Sequence, residues 1–321
     1  MRLSFYSLSL LLSCLCNTAF SQTQRINFEA PYQYPEGVAY APSQKTFFVS
    51  SVRTGTIGKV TQQGHYEPFY QDSSLKSSYG MKVDEKRNRL WVCTGDANYS
   101  TYADSATYKK MIRVIGLDLS TGRKTDDINL SNLAEGKHFA NDLVLDEAGN
   151  LYITDSYAPV VYKIDPQMKP SVLTKSDWFR SNDIGLNGIV YSSKGFLIVA
   201  NNSDGNLLKI DLKDPQRITK IQLEGFYPGA DGLLWNAAGH LVLVQNKGTH
   251  KIYELQSDDN WQSARQVAAT ATTDRFHQPT TATLQGQTVY VLNSKMNELT
   301  DPTAPPSKEF SLQVVRFLPS K

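Results

Sequence analysis

Residues 141–153 read Asn141-Asp142-Leu143-Val144-Leu145-Asp146-Glu147-Ala148-Gly149-Asn150-Leu151-Tyr152-Ile153. A polar residue opens a short apolar strand, a Gly/Asn-bearing turn follows, and a second apolar strand returns. The same order recurs at Glu36-Gly37-Val38 leading to Phe47-Phe48-Val49, and at Tyr79-Gly80-Met81 leading to Leu90-Trp91-Val92. It recurs again at Asn187-Gly188-Ile189 leading to Leu197-Ile198-Val199, at Asp231-Gly232-Leu233 leading to Leu241-Val242-Leu243, and at Thr280-Thr281-Ala282 leading to Val289-Tyr290-Val291. The unit openings lie 43, 62, 46, 44 and 49 residues apart, counted along the sequence.

Repeats of this length suit four-stranded blades, and six of them predict an all-β, six-bladed β-propeller around a central channel. Third strands are visible at 160–165, 206–211 and 250–253, and a weaker outer strand at 218–221. No stretch shows a helical period, which argues against a parallel α/β fold. Ring closure needs one borrowed strand. Arg25-Ile26-Asn27-Phe28 is expected to lie beside Leu312-Gln313-Val314-Val315 as the outer strand of the last blade. The long second interval holds a polar, Tyr-rich insertion near Asn98–Lys110, read as a loop over one face, and Thr300–Ser307 is a second such loop.

In a propeller the innermost strands run along the channel, so their first residues form a ring at one mouth. That ring reads Glu36, Tyr79, Asn141, Asn187, Asp231 and Thr280. Two carboxylates and two carboxamides, with no thiol or imidazole, are hard oxygen ligands that suit calcium or another divalent ion. Two carboxylates converging on an axis also need a cation or a proton between them. The competing explanation is that Asn-Gly and Asp-Gly are ordinary turn formers. That explanation covers any one pair, but not four oxygen ligands at equivalent positions of a repeat.

These four positions carry a resemblance. Glu36-Gly37, Asn141-Asp142, Asn187-Gly188 and Asp231-Gly232 resemble the signature of the gluconolactonase/senescence marker protein (regucalcin) family. Their order, Glu-Asn-Asn-Asp, is similar to that of the diisopropylfluorophosphatase and paraoxonase families. The resemblance implies a six-bladed propeller with a divalent ion in the channel, held by Glu36, Asn141, Asn187 and Asp231. It implies hydrolysis of a small lactone, phosphotriester or aryl ester, with Asp231 as general base or nucleophile. The chain departs from the family in lacking the substrate-arginine motif of the sugar lactonases near 98–110 and the paired histidines of the paraoxonases, which leaves the ester class open. A non-catalytic binding propeller with a structural calcium is the alternative, and a metal-dependent lyase a third reading.

Other residues are candidates for supporting roles. His277, three residues before Thr280, and His138, three before Asn141, could act as acid or base near the ion, or simply make loop hydrogen bonds. Asp142 points away from its neighbour's face and could support the ligands, bind a second ion, or be a buried hydrogen-bonded carboxylate. Tyr79 and Trp235 could line a substrate pocket or serve blade packing.

The wider composition narrows the partners. Of 321 residues, 33 are Lys or Arg and 31 Asp or Glu, a formal charge of +2 with no basic stripe, so charge gives no reason to expect nucleic acid. After residue 21 no apolar run is long enough to span a bilayer. Residues 1–21 read as a signal peptide, from Arg2 through Leu8-Ser9-Leu10-Leu11-Leu12 to Ala19-Phe20-Ser21. This predicts an exported, periplasmic or secreted protein whose single domain spans 22–321. The competing assignment is a lipoprotein signal ending at Cys14. Of the three cysteines, only Cys93 remains after cleavage, so no internal disulfide is expected, and Cys93 reads as a buried small hydrophobe.

Overall fold

A computed structural model of the protein describes residues 24–320. The signal-peptide and Cys14 assignments lie outside the described residues. The rest of the chain is all-β apart from short 3₁₀ turns, and its strands form six sheets, the blades of a propeller. Each blade is a meander of sequential antiparallel strands, at 38–70, 77–129, 140–175, 186–220, 230–270 and 279–314. Continuous apolar runs such as Leu90-Trp91-Val92-Cys93 and Leu241-Val242-Leu243-Val244 let each sheet bury both faces against its neighbours.

Ring closure takes the expected form. Arg25–Glu29 pairs antiparallel with Glu309–Val314, with Ile26 opposite Leu312 and Phe28 opposite Phe310. The seam between first and last blades is then packed and hydrogen-bonded. Phe47 meets Tyr290 edge-on at 5.1 Å between ring centroids, and Phe28 stacks near Tyr66 at 6.2 Å. Thr280 and Thr281 both donate their hydroxyls to the Glu36 carbonyl, at 2.7 and 2.8 Å. Burial of a side chain such as Phe47 contributes about 1.5–3 kcal/mol, so this seam is a main source of ring stability.

The fifth blade departs from the four-strand expectation. Two short strands, Gln222–Leu223 and Phe317–Pro319, add to its outer strand Ser263–Thr270, the first in parallel and the second antiparallel. The final residues of the described chain thus staple blade five beside the closure in blade six.

The innermost strands pack side by side around the axis, each touching the one before and the one after. Their pairing with the second strand breaks at the same place in five blades: between Ser78 and Met81, Ala140 and Leu143, Leu186 and Ile189, Ala230 and Leu233, and Pro279 and Ala282. Such irregularities re-aim side chains out of the regular pleat. In blade one the strand starts only at Val38, just after Glu36-Gly37. Every ring residue therefore sits where the ladder is interrupted.

The glycines that follow the ring residues are not turn residues here. A Cβ on Gly188 would lie 2.3 Å from the Asp231 carbonyl oxygen, one on Gly37 2.2 Å from that of Tyr79, and one on Gly232 2.7 Å from that of Thr280. They are glycines because the next blade's backbone passes against them. Gly188→Ala is therefore expected to destabilise the protein by about 1–3 kcal/mol, through overpacking against a rigid backbone. Thermal unfolding should show a melting temperature lower by several degrees; an unchanged value would mean that the inner ring is loosely packed.

Candidate functional site

Glu36, Asn141, Asn187 and Asp231 come together at one mouth of the channel. All four are buried, and all four line a single cavity of about 430 Å³. Tyr79 lines it too. Trp235 does not: its indole N–H donates to the Tyr191 carbonyl at 2.8 Å and its ring packs on Trp261, on a different groove.

The polar atoms at the ring are under-satisfied. Glu36 Oε2, Asn141 Oδ1 and Asp231 Oδ1 are buried with no hydrogen-bond partner, and so is Asp142 Oδ2 behind them. Buried oxygens left in this state cost free energy unless something polar or positive meets them. The other Asp231 oxygen accepts a hydrogen bond from the Asn246 amide. The backbone behind the ring is held firmly, with Ser50 Oγ accepting from the N–H groups of Glu36 and Gly37 at 3.1 and 2.7 Å. Thr154 Oγ1 accepts from Asp142 N–H at 3.2 Å and lies 2.6 Å from the Asn187 carbonyl.

Burial pushes the Glu36 carboxyl well above the ordinary range, and nearby Asp231 and Asp142 push it further, against the pull of Lys82. Asp231 is raised by burial and by Asp142, opposed by the Asn187 side chain and by Lys247. Asp142 is raised by burial and drawn back by Lys82, whose ammonium lies 3.7 Å from its carboxylate. If all three carboxyls are ionised, Lys82 pairs with Asp142, and Glu36 and Asp231 are left without an ion-pair partner among the described residues, with Lys247 acting on Asp231 only at longer range. A divalent cation would supply the missing charge, and the four ring side chains are those that could hold it. Among the described residues there is no cluster of three or more His, Cys, Asp or Glu side chains arranged for a metal. An ion here must use carboxamide oxygens as well as carboxylates, a set typical of hard cations.

The two histidines fall elsewhere. His138 Nδ1 lies 2.8 Å from Asp155 Oδ2 and its Nε2 lies 3.1 Å from the Ala134 carbonyl, so both ring nitrogens are engaged. It borders a shallower groove of about 890 Å³, not the channel cavity. His277 is exposed, its N–H donates to Asn293 Oδ1 at 2.7 Å, and it is not among the residues lining the cavity. Burial and the nearby Arg25 and Lys295 lower its pKa. Asp142 is the buried, hydrogen-bonded carboxylate with an ammonium partner. Cys93 is wholly buried, with burial pushing its thiol up.

Several residues of the site escaped the sequence reading. Lys82 lies three residues after Tyr79 in an innermost strand. Asn202, Asn246 and Lys247 follow second strands and line the cavity. Asp155, also at a second-strand end, accepts from the N–H groups of Phe139 and Tyr157 at 2.9 and 3.0 Å and so fixes two aromatic rings at the mouth. A second polar column in the repeat was available as a signal: Ser50-Ser51, Thr154-Asp155, Asn201-Asn202, Gln245-Asn246 and Asn293-Ser294 all end second strands. The insertion does cover the mouth, bringing Asn98, Tyr99 and Lys109 to the cavity wall.

The fold is similar to that of the major Malassezia sympodialis allergen Mala s 1, with a TM-score of 0.73 at 15% identity over 92% of this chain and 97% of that one. It is similar to a gluconolactonase from Xanthomonas campestris, at 0.62 and 14% over 92% and 90%. It is also similar to virginiamycin B lyase from Staphylococcus aureus, at 0.58 and 12% over 92% and 100%. Identities this low establish the propeller fold alone. No protein-family profile matches the chain, and no curated protein matches it in sequence.

The raised carboxyls have a consequence for stability in the absence of metal. Above about pH 4.5, the ordinary Glu value, the unfolded chain has released a proton that folded Glu36 still holds. The folded state then binds more protons, so stability falls as pH rises toward the folded value. In chelator, the melting temperature is expected to drop as pH rises above about 4.5, and to drop less steeply in Glu36→Gln, which cannot ionise. Parallel slopes for the two proteins would contradict the crowding of carboxyls at the axis.

Proposed function

We propose that the ring holds one divalent ion, with calcium the best match, and that the protein is a metal-dependent hydrolase of a lactone or related ester. The observation that carries this is the convergence of three unpartnered buried oxygens, from Glu36, Asn141 and Asp231, at the floor of an open cavity. A fold that hosts both a gluconolactonase and a lyase does not choose the reaction, so the choice rests on the site.

When bound, a divalent ion at these oxygens would hold Glu36 and Asp231 ionised and polarise a substrate carbonyl as a Lewis acid. Asp231 is the ring carboxylate that accepts a hydrogen bond from the Asn246 side-chain amide, on Oδ2, while its Oδ1 is unpartnered. It accepts the proton of the attacking water. The water oxygen bonds to the carbonyl carbon, the carbon–oxygen bond to the alkoxide breaks, and the proton passes to that alkoxide, giving an acid and an alcohol. Asn187 and Asn141 contribute carboxamides that stay neutral through these proton movements. Glu36, whose N–H donates to Ser50 of its own blade and whose carbonyl accepts across the seam from Thr280, is a fixed anionic ligand rather than a proton carrier.

The two carboxylates are therefore expected to respond differently. Asp231→Asn keeps shape and an oxygen ligand but removes the base, and hydrolysis at saturating calcium should fall about a hundredfold to ten-thousandfold. Glu36→Gln should act through metal affinity and recover with added calcium. Steady-state kinetics on a panel of lactones, aryl esters and phosphotriesters, with metal content measured on the same samples, checks both. Asp231→Asn activity near wild type would remove Asp231 from the mechanism. No turnover of any panel member, with calcium bound, would favour a binding propeller with a structural ion.

A further inference from the structure

The walls of the mouth are chemically unequal. Blades four to six present Asn202, Asn246, Lys247 and Gln278 to the cavity. Blades two and three present a run of rings. Tyr79 packs on Phe139 at 4.6 Å between centroids, and Phe139 on Tyr157 at 5.7 Å. The polar groups on this side are already committed: the Asn98 amide donates to the Tyr157 hydroxyl at 2.7 Å. A polyhydroxylated substrate would find few free partners here, whereas a flat apolar body would find ring faces.

At the end of this aromatic run sits Lys109. Its ammonium lies 5.1 Å from the Tyr157 ring centroid and 5.2 Å from that of Tyr108. Among the described residues it has no carboxylate partner, whereas the other rim lysine, Lys247, lies 3.9 Å from Asp183. The Lys109 backbone is fixed by its N–H bond to the Asp96 carbonyl at 2.6 Å and by its carbonyl accepting from His138 N–H at 2.9 Å. A half-buried, positioned ammonium without an anion is a site for a ligand's anion.

We infer that the mouth selects a substrate with a flat apolar body and a carboxylate, the body against Tyr79, Phe139 and Tyr157 and the carboxylate on Lys109. This rests on the hydrolase reading for the reaction but not for the binding. Lys109 is a specificity residue, which holds the substrate's carboxylate and takes no part in the proton transfers assigned to Asp231.

Two pairs of probes separate the claims: 4-acetoxybenzoate against phenyl acetate for hydrolysis, and 4-acetamidobenzoate against acetanilide for calorimetric binding. Wild type should bind 4-acetamidobenzoate about tenfold tighter than acetanilide, the effect of one charge-assisted contact. Lys109→Met should abolish that difference and Lys109→Arg should keep most of it. In hydrolysis, Lys109→Met should raise KM for 4-acetoxybenzoate about tenfold, leaving kcat and the phenyl acetate kinetics unchanged. Hydrolysis without preference for the acid-bearing ester, or a Lys109→Met effect equal for both members of a pair, overturns the inference and leaves the hydrolase reading intact. Lys109-dependent binding of 4-acetamidobenzoate with no ester hydrolysed supports the inference and overturns the hydrolase reading.

Discussion

Closing six blades into a ring forces the first residues of six innermost strands toward one axis, and this chain places two buried carboxyls there. Burial raises the proton affinity of both, and Asp231 raises that of Glu36 further, because the ring holds them close and dry. A fold that merely needed closure could have placed Thr or Gly at these positions, as it does with Thr280 in the sixth blade. The chain instead keeps the crowding and spends local order to keep it. The strand ladder is broken at the ring residue in five blades, and glycine follows where the next backbone passes within reach of a Cβ.

Lys82 sets how much of that charge remains unbalanced. Its ammonium pairs with Asp142 and is felt by Glu36. Asp142 thus has a contact counter-ion, whereas Glu36 and Asp231 feel Lys82 and Lys247 only at longer range. The functional reading follows from that asymmetry: the unpartnered ring oxygens belong to residues that line the cavity.

The repeat was legible because every blade must bury both faces, so apolar runs and turn residues recur whatever the local details. The four oxygen-bearing ring residues were legible for a related reason, since they open the strand that the channel selects. What escaped was set by contacts between blades. Asn187-Gly188 and Asp231-Gly232 look like turns in one dimension, and only the neighbouring backbone shows why glycine stands there. Asp155 ends a second strand and Asn246 follows one, and the role of this polar column shows only once the blades are assembled. His138 was drawn toward the site by its nearness to Asn141 in sequence, but Asp155 and the Ala134 carbonyl hold both its nitrogens outside the cavity. The additional strands of blade five were missed because two- and three-residue strands carry no periodicity.

The central claim is that the ring is a metal site. A crystal structure grown with calcium, with anomalous diffraction locating the ion, tests it most directly. The expected result is one anomalous peak on the axis, with oxygens of Glu36, Asn141, Asn187 and Asp231 at about 2.3–2.6 Å. A ring that stays free of anomalous density at saturating calcium, with Glu36 and Asp231 bridged by a proton or by water, would contradict it.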